Sequence, residues 1–112
     1  MATRSNITGI IRGDTITINI SATGIDLTGY TIFFTIKRTY NSSDSNDSSA
    51  VIKKTWVSAG ATTSTVISAA ESKIPPMTYK YDVQYKDLNG NIVTLAYGDF
   101  EIINEVTNRT TA

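Results

Sequence analysis

The sequence predicts an all-β protein, an antiparallel β-sandwich of about seven strands. Three observations predict it. Apolar and polar residues alternate along several stretches, a period of two that marks strands with one buried face. Turn-forming residues recur about every ten positions between those stretches. No stretch carries the spacing of a long amphipathic helix. Composition agrees: there are 6 Tyr against 3 Phe, and Thr and Ser are abundant, a mix suited to strands with a wet outer face.

Residues 1–6 are polar and are expected to be frayed or held by a partner. Ile7 to Ile11 reads as a first short strand, and Arg12-Gly13-Asp14 as a turn. Thr15 to Ile20 alternates cleanly, with Ile16, Ile18 and Ile20 inward. Tyr30 to Arg38 is the third strand, with Tyr30, Ile32, Phe34 and Ile36 inward and Phe33 breaking the pattern on the other face. Residues 41–49 form a polar, low-complexity loop without apolar anchors, expected to be mobile. Ala50 to Val57 is a strand of mixed parity, as at an edge or a bulge. Thr62 to Ile67 is another short strand. Ser68 and Glu71 have capping-box spacing, which predicts one helical turn over Ser68 to Lys73, ended by Pro75-Pro76.

Met77 to Val106 is the stretch around which the chain is organised. Tyr79, Tyr81, Val83 and Tyr85 alternate with polar residues. After Asp87-Leu88-Asn89-Gly90 the alternation resumes with Val93, Leu95 and Tyr97. A two-residue Asn89-Gly90 turn points the two apolar sets to opposite faces. A three-residue loop, Leu88 to Gly90, pairs Asp87 with Asn91, Tyr85 with Val93, Val83 with Leu95 and Tyr81 with Tyr97. All apolar residues then share a face, with Gly90 in the left-handed region as a G1 bulge. Beyond Tyr97 the parity shifts to Phe100 and Ile102, which predicts a bulge or bend at Gly98.

The 112 residues suffice for one domain, taken as 1–112. Lys plus Arg and Asp plus Glu number 10 each, so the net charge is zero. That balance points to no nucleic-acid partner and no anionic membrane. There is no signal-peptide apolar region near Met1 and no run of membrane-spanning length. Cys and His are both absent, which removes disulfides, the commonest metal ligand and the commonest general base. No cofactor or metal is expected.

Several motifs have ordinary readings. Arg12-Gly13-Asp14 spells an integrin-type tripeptide, but Gly and Asp also make a turn between strands. Sequons at Asn6, Asn41, Asn46 and Asn108 arise by chance in a chain so rich in Ser and Thr. Asp44 and Asp47 with Asn46 lack the fixed geometry of a calcium loop. Asp82, Asp99 and Glu101 have no nucleophile–base pair beside them, so no catalytic set emerges. Lys53, Lys54 and Trp56 read as an exposed edge.

Two pieces together carry a resemblance. One is Gly13-Asp14-Thr15 before an alternating strand, then Ile25-Asp26-Leu27-Thr28-Gly29-Tyr30-Thr31-Ile32-Phe33-Phe34-Thr35-Ile36-Lys37. The other is Tyr79 to Tyr85, then Asp87, Gly90, Val93-Thr94-Leu95, Gly98-Asp99-Phe100-Glu101-Ile102 and Val106-Thr107. This resembles the small immunoglobulin-like virion proteins of tailed bacteriophages and is similar to the N-terminal domain of siphophage baseplate upper proteins. The resemblance implies an immunoglobulin-like sandwich that attaches to the particle without catalysis. A baseplate upper protein continues into a long anchor for the receptor-binding protein, and this sequence stops at Ala112.

The expected function is therefore a non-enzymatic tail- or baseplate-associated protein, present in many copies on the virion and made in the host cytoplasm. Its expected partners are other virion proteins of tail, baseplate or capsid, with self-association about a symmetry axis as a further option. Capsid decoration or a head-fibre base is the second reading. A carbohydrate-binding module for host adsorption, using Trp56, Phe33 and Tyr40, is an alternative from another class, and a small hydrolase is a further one. Candidate contact residues are Phe33, Tyr40 and Trp56, with Asn6, Asn108 and Arg109 in terminal segments expected to order on docking.

Overall fold

The computed structural model describes residues 3–39 and 48–106. Eight strands run in chain order through them: β1 (Thr3–Arg4), β2 (Ile7–Ile11), β3 (Ile16–Ile20), β4 (Thr31–Lys37), β5 (Ile52–Val57), β6 (Thr63–Ile67), β7 (Met77–Lys86) and β8 (Ile92–Ile103). The larger sheet has the order β1-β8-β7-β4-β5, with β2 following β1 along β8. The smaller sheet is the antiparallel pair β3-β6. Strand β5 lies at an edge, consistent with its mixed parity.

The alternating inward residues of both sheets meet in one core. Ile32, Phe34 and Ile36 of β4 and Tyr79, Tyr81, Val83 and Tyr85 of β7 are buried. Phe100 and Ile102 join them from β8, and Ile20 and Ile67 from the smaller sheet. Tyr81 packs between Phe34 and Phe100, with ring centroids 6.0 and 6.4 Å away. The buried phenols reach backbone acceptors: Tyr79 donates to Pro75 O and Tyr81 to Ser5 O. Each of these two buried hydroxyls is thus satisfied, which is what makes Tyr tolerable in a core. Burial also pushes the Tyr79 phenol up from its ordinary pKa.

Phe34 and Val83 are core residues, as the alternation predicts, but Ile18 and Leu95 are only half-buried. Ile18 belongs to a sheet of two strands, which covers its own members poorly. Leu95 is the extra residue of a bulge. The hairpin starts as expected, with Tyr85 opposite Val93 and Asp87 N donating to Asn91 O at 2.9 Å. Gly90 has φ of 88° and its N–H closes the turn onto Asp87 O at 3.1 Å. The register then slips. Gln84 faces Thr94 but Val83 faces Ala96, and Tyr81 faces Gly98 rather than Tyr97. The bulge therefore lies at Leu95, not at Gly98, and Tyr97 points outward opposite Asp82.

Gly98 answers to a different demand. A Cβ built there would sit 2.6 Å from Ser5 O and 2.8 Å from Asn6 Oδ1. Only glycine leaves room for the N-terminal arm to cross β8 at this point. The arm is fastened on both sides of the crossing. Ser5 N donates to Tyr97 O at 2.8 Å, and Asp99 N donates to Asn6 Oδ1 at 3.1 Å. Here β1 and β2 pair with β8 in parallel. The larger sheet is thus mixed, not purely antiparallel, and residues 3–6 are held by the chain itself rather than frayed.

The expected helical turn at 68–73 does not form as helix, and the described residues contain none. The capping box itself is present: Glu71 N donates to Ser68 Oγ at 3.1 Å and Ser68 N to Glu71 Oε1 at 2.9 Å. It closes a hydrogen-bonded turn with backbone bonds from Ser72 N to Ser68 O at 3.0 Å and from Lys73 N to Ala70 O at 3.3 Å. Propagation stops because Pro75 and Pro76 follow at once and offer no N–H donors.

Candidate interaction surface

The outward side chains of the larger sheet form a four-strand face whose rows follow from the register. The first row is Val57, Thr31, Lys86 and Ile92, running from β5 through β4 and β7 to β8. The second is Thr55, Phe33, Gln84 and Thr94. The third is Lys53, Thr35, Asp82 and Tyr97, with Arg4 of β1 beyond Tyr97. Lys37, Lys80 and Asp99 make the fourth. Val57 is 63% exposed and Ile92 59%, while Leu88, at the adjoining hairpin tip, is 77% exposed. Exposed Val57 and Ile92 thus stand at the two sides of the first row, with exposed Lys86 beside Ile92, and most of the charge lies in the third and fourth rows.

The charged end holds an ion pair among its side chains. Lys80 is ion-paired with Asp99, and that contact holds the Asp99 carboxyl below its usual range. Gly9 N donates to Glu101 Oε1 at 3.0 Å. Asp82, Asp99 and Glu101, the carboxylates that invite a catalytic reading, stand on neighbouring strands of this face.

Phe33 is half-buried in the middle of the outer face. Trp56 lies on the opposite, inward side, opposite Ile32, and its Nε1 donates to Thr63 Oγ1 at 2.7 Å. These two rings therefore share no platform. Lys54 also points inward and is ion-paired with Glu71, whereas Lys53 points outward. Asn6 is exposed but engaged by Asp99 N. Tyr40, Asn108 and Arg109 lie outside the described residues, as do residues 41–47 of the polar loop with Asp44, Asn46 and Asp47.

The Arg12-Gly13-Asp14 turn is clasped from within. Arg12 Nε donates to Ile74 O at 3.1 Å, and Nη1 reaches the Glu105 carboxylate at 3.1 Å. Gly13 N donates to the buried Ser72 Oγ at 3.0 Å, and that hydroxyl donates to Asp14 O at 2.7 Å. Glu105 is held below its usual pKa by its own backbone N–H and by Arg12. The tripeptide thus ties the β2–β3 turn to the capping-box turn and to the chain leaving β8. Sequence reasoning placed a turn here but missed this clasp, because Ser72 and Glu105 carry no local signature.

Comparison with family models, curated proteins and solved structures finds no match to this chain. No group of three or more His, Cys, Asp or Glu side chains placed to hold a metal occurs among the described residues. No helix there is long and apolar enough to cross a membrane.

Proposed function

We propose that this chain is a non-enzymatic structural protein of a tailed-phage particle, an adaptor associated with the tail or baseplate in several copies. Its β-sandwich is read as immunoglobulin-like. The strand order supports that reading: the first strands run parallel to the last, and a small β3–β6 sheet faces a large one across the core. The observation that carries the function is the set of open strand edges. Among the described residues, β1, β2 and β5 of the larger sheet and both strands of the smaller one have one side with no strand beside it. Ile16–Ile20 and Thr63–Ile67 contain no charged residue and no proline, the usual devices that blunt an edge. Such edges accept an added strand from a neighbour, with backbone hydrogen bonds supplying the attachment. Many symmetry-related copies then need little affinity per contact.

Cryo-microscopy and quantitative mass spectrometry of purified particles test the reading. A fixed stoichiometry with density at the tail or baseplate supports it, and density on the capsid lattice selects the decoration role instead. A protein abundant in the lysate but missing from purified particles overturns both. Carbohydrate recognition is the weaker reading, because Trp56 and Phe33 stand on opposite faces of the sheet.

A further inference from the structure

We propose that the N-terminal arm, Thr3 to Ile11, is exchangeable between copies of this chain, so that the arm of one copy occupies the β8 edge of a second. The inference stands apart from the virion reading, since it concerns the chain itself. The arm is strapped to the outside of the fold. None of its residues is among the buried ones, and Ile7, Ile10 and Ile11 are half-buried. Among the described residues, both of its strands pair with β8 and with no other strand. A peripheral segment held by edge hydrogen bonds opens at less cost than the core does.

The site on β8 selects the occupant. Gly98 leaves space where Ser5 O crosses, and Tyr81 Oη donates to that oxygen. Asp99 N donates to Asn6 Oδ1 at 3.1 Å, and Gly9 N donates to Glu101 Oε1 at 3.0 Å. Gly9 has φ of 70° and sits where the register shifts between Ile7 and Ile10. An occupant must therefore present Asn and, three residues later, Gly, along a strand parallel to β8. The arm of a second copy meets that demand in full, and exchange preserves every one of these contacts. The closed and exchanged states differ at the turn Arg12-Gly13-Asp14. Asp14 N donates to Ile11 O at 3.1 Å across it, and Gly13 has φ of 90°. Straightening the turn sends the arm away from its own copy. The loss of that bond, and of the one from Gly13 N to Ser72 Oγ, favours the closed monomer in dilute solution. A tethered arm meets its own site at an effective concentration on the order of 1 mM. Exchange therefore competes where copies are crowded to that density.

The chain has no Cys, so introduced thiols report exchange without background. Thr3 pairs with Ala96, and residues paired on adjacent strands lie about 4.8 Å apart, within disulfide reach. Thr3→Cys and Ala96→Cys are made in separate chains, mixed at about 1 mM each and oxidised. Asn19→Cys mixed with Ala96→Cys measures collision alone, because exposed Asn19 lies on the smaller sheet, away from the arm. The arm pair should form disulfide-linked heterodimer at least about tenfold faster than that control, with native circular dichroism. Gly13→Pro cannot adopt the positive φ of the closed turn and lacks the N–H that meets Ser72. It should be dimeric by sedimentation velocity at about 10 µM, where wild type is monomeric. Should that variant fail to fold, the disulfide experiment decides alone. An arm pair that cross-links no faster than its control overturns the proposal, as it does if a foreign strand is the true occupant. A folded Gly13→Pro chain that stays monomeric overturns it as well.

Discussion

Gly98→Ala tests the crossing of the N-terminal arm most directly. The added methyl would stand 2.6 Å from Ser5 O and 3.0 Å from Ser5 C, both backbone atoms, so no side chain can rotate away. Either the arm lifts or β8 bends. Lifting residues 5 and 6 alone forfeits at least three hydrogen bonds: Ser5 N to Tyr97 O, Tyr81 Oη to Ser5 O, and Asp99 N to Asn6 Oδ1. At about 0.5–1.5 kcal/mol each, that loss is roughly 1.5–4.5 kcal/mol, offset in part by the freedom the released residues regain. The φ of 157° at Gly98 lies where alanine is strained and adds about 1 kcal/mol or more. The net expectation is a destabilisation of about 2–4 kcal/mol. Urea unfolding of four proteins measures it: wild type, Gly98→Ala, a chain lacking residues 1–6, and that truncated chain carrying Gly98→Ala. In the truncated pair the substitution should cost only its backbone strain, because nothing remains to collide with. Hydrogen exchange should show the Ser5 and Asp99 amides losing protection in full-length Gly98→Ala while the β4 and β7 amides keep theirs. Equal costs in the long and short backgrounds would refute the reasoning, since the close approach would then not be what requires glycine.

Three further outcomes are expected. Gly90→Ala should cost about 1 kcal/mol by chemical unfolding, entirely through positive φ, because no atom lies within 4 Å of the added Cβ; an unchanged midpoint would remove the left-handed turn. Val83→Ala, at a side chain 4% exposed, should cost about 1–3 kcal/mol through lost burial and a residual cavity, and a change too small to measure would mean the β7 faces are reversed. Acid should destabilise the fold in one window: Asp26, Glu71, Asp87, Asp99 and Glu105 are all held below their ordinary values of 3.8 or 4.5. Depressed carboxylates contribute stability above the unfolded pKa and lose it as pH falls through the folded one. The urea midpoint should therefore be flat from neutrality to about pH 5 and fall below it; a decline between pH 7 and 5 would contradict this, since the chain has no His.

What was legible in the sequence was whatever local periodicity encodes. Ile7–Ile11 is read with its observed bounds, and β3 to β7 to within about two residues, because alternation and glycine-bearing turns are properties of neighbours in the chain. The three-residue loop ending at Gly90 was readable for the same reason. The bulge was misplaced because the parity change and Gly98 both looked like its signature. The glycine instead serves a segment more than ninety positions away. Thr3 and Arg4 have no apolar pattern, so nothing local announces that they pair with Ala96 and Tyr97. The exposed row Val57 to Ile92 was equally hidden. It exists only once three separate strand pairings are in register.

The parallel pairing of the first strands with the last governs how the domain bears mechanical load. Along that edge the chain enters beside Ala96 and leaves beyond Ile103, at opposite ends of the same pair. Tension applied between the two ends pulls β1 and β2 one way along β8 and β8 the other. The inter-strand hydrogen bonds then lie across the direction of force and are loaded together, in shear, instead of opening one after another like a zipper. The Asn6–Asp99 contact and the Arg12–Glu105 ion pair stand along that seam and slip with it. Resistance to stretching is therefore concentrated where the chain's two ends meet, and a domain tethered by both ends would yield there first.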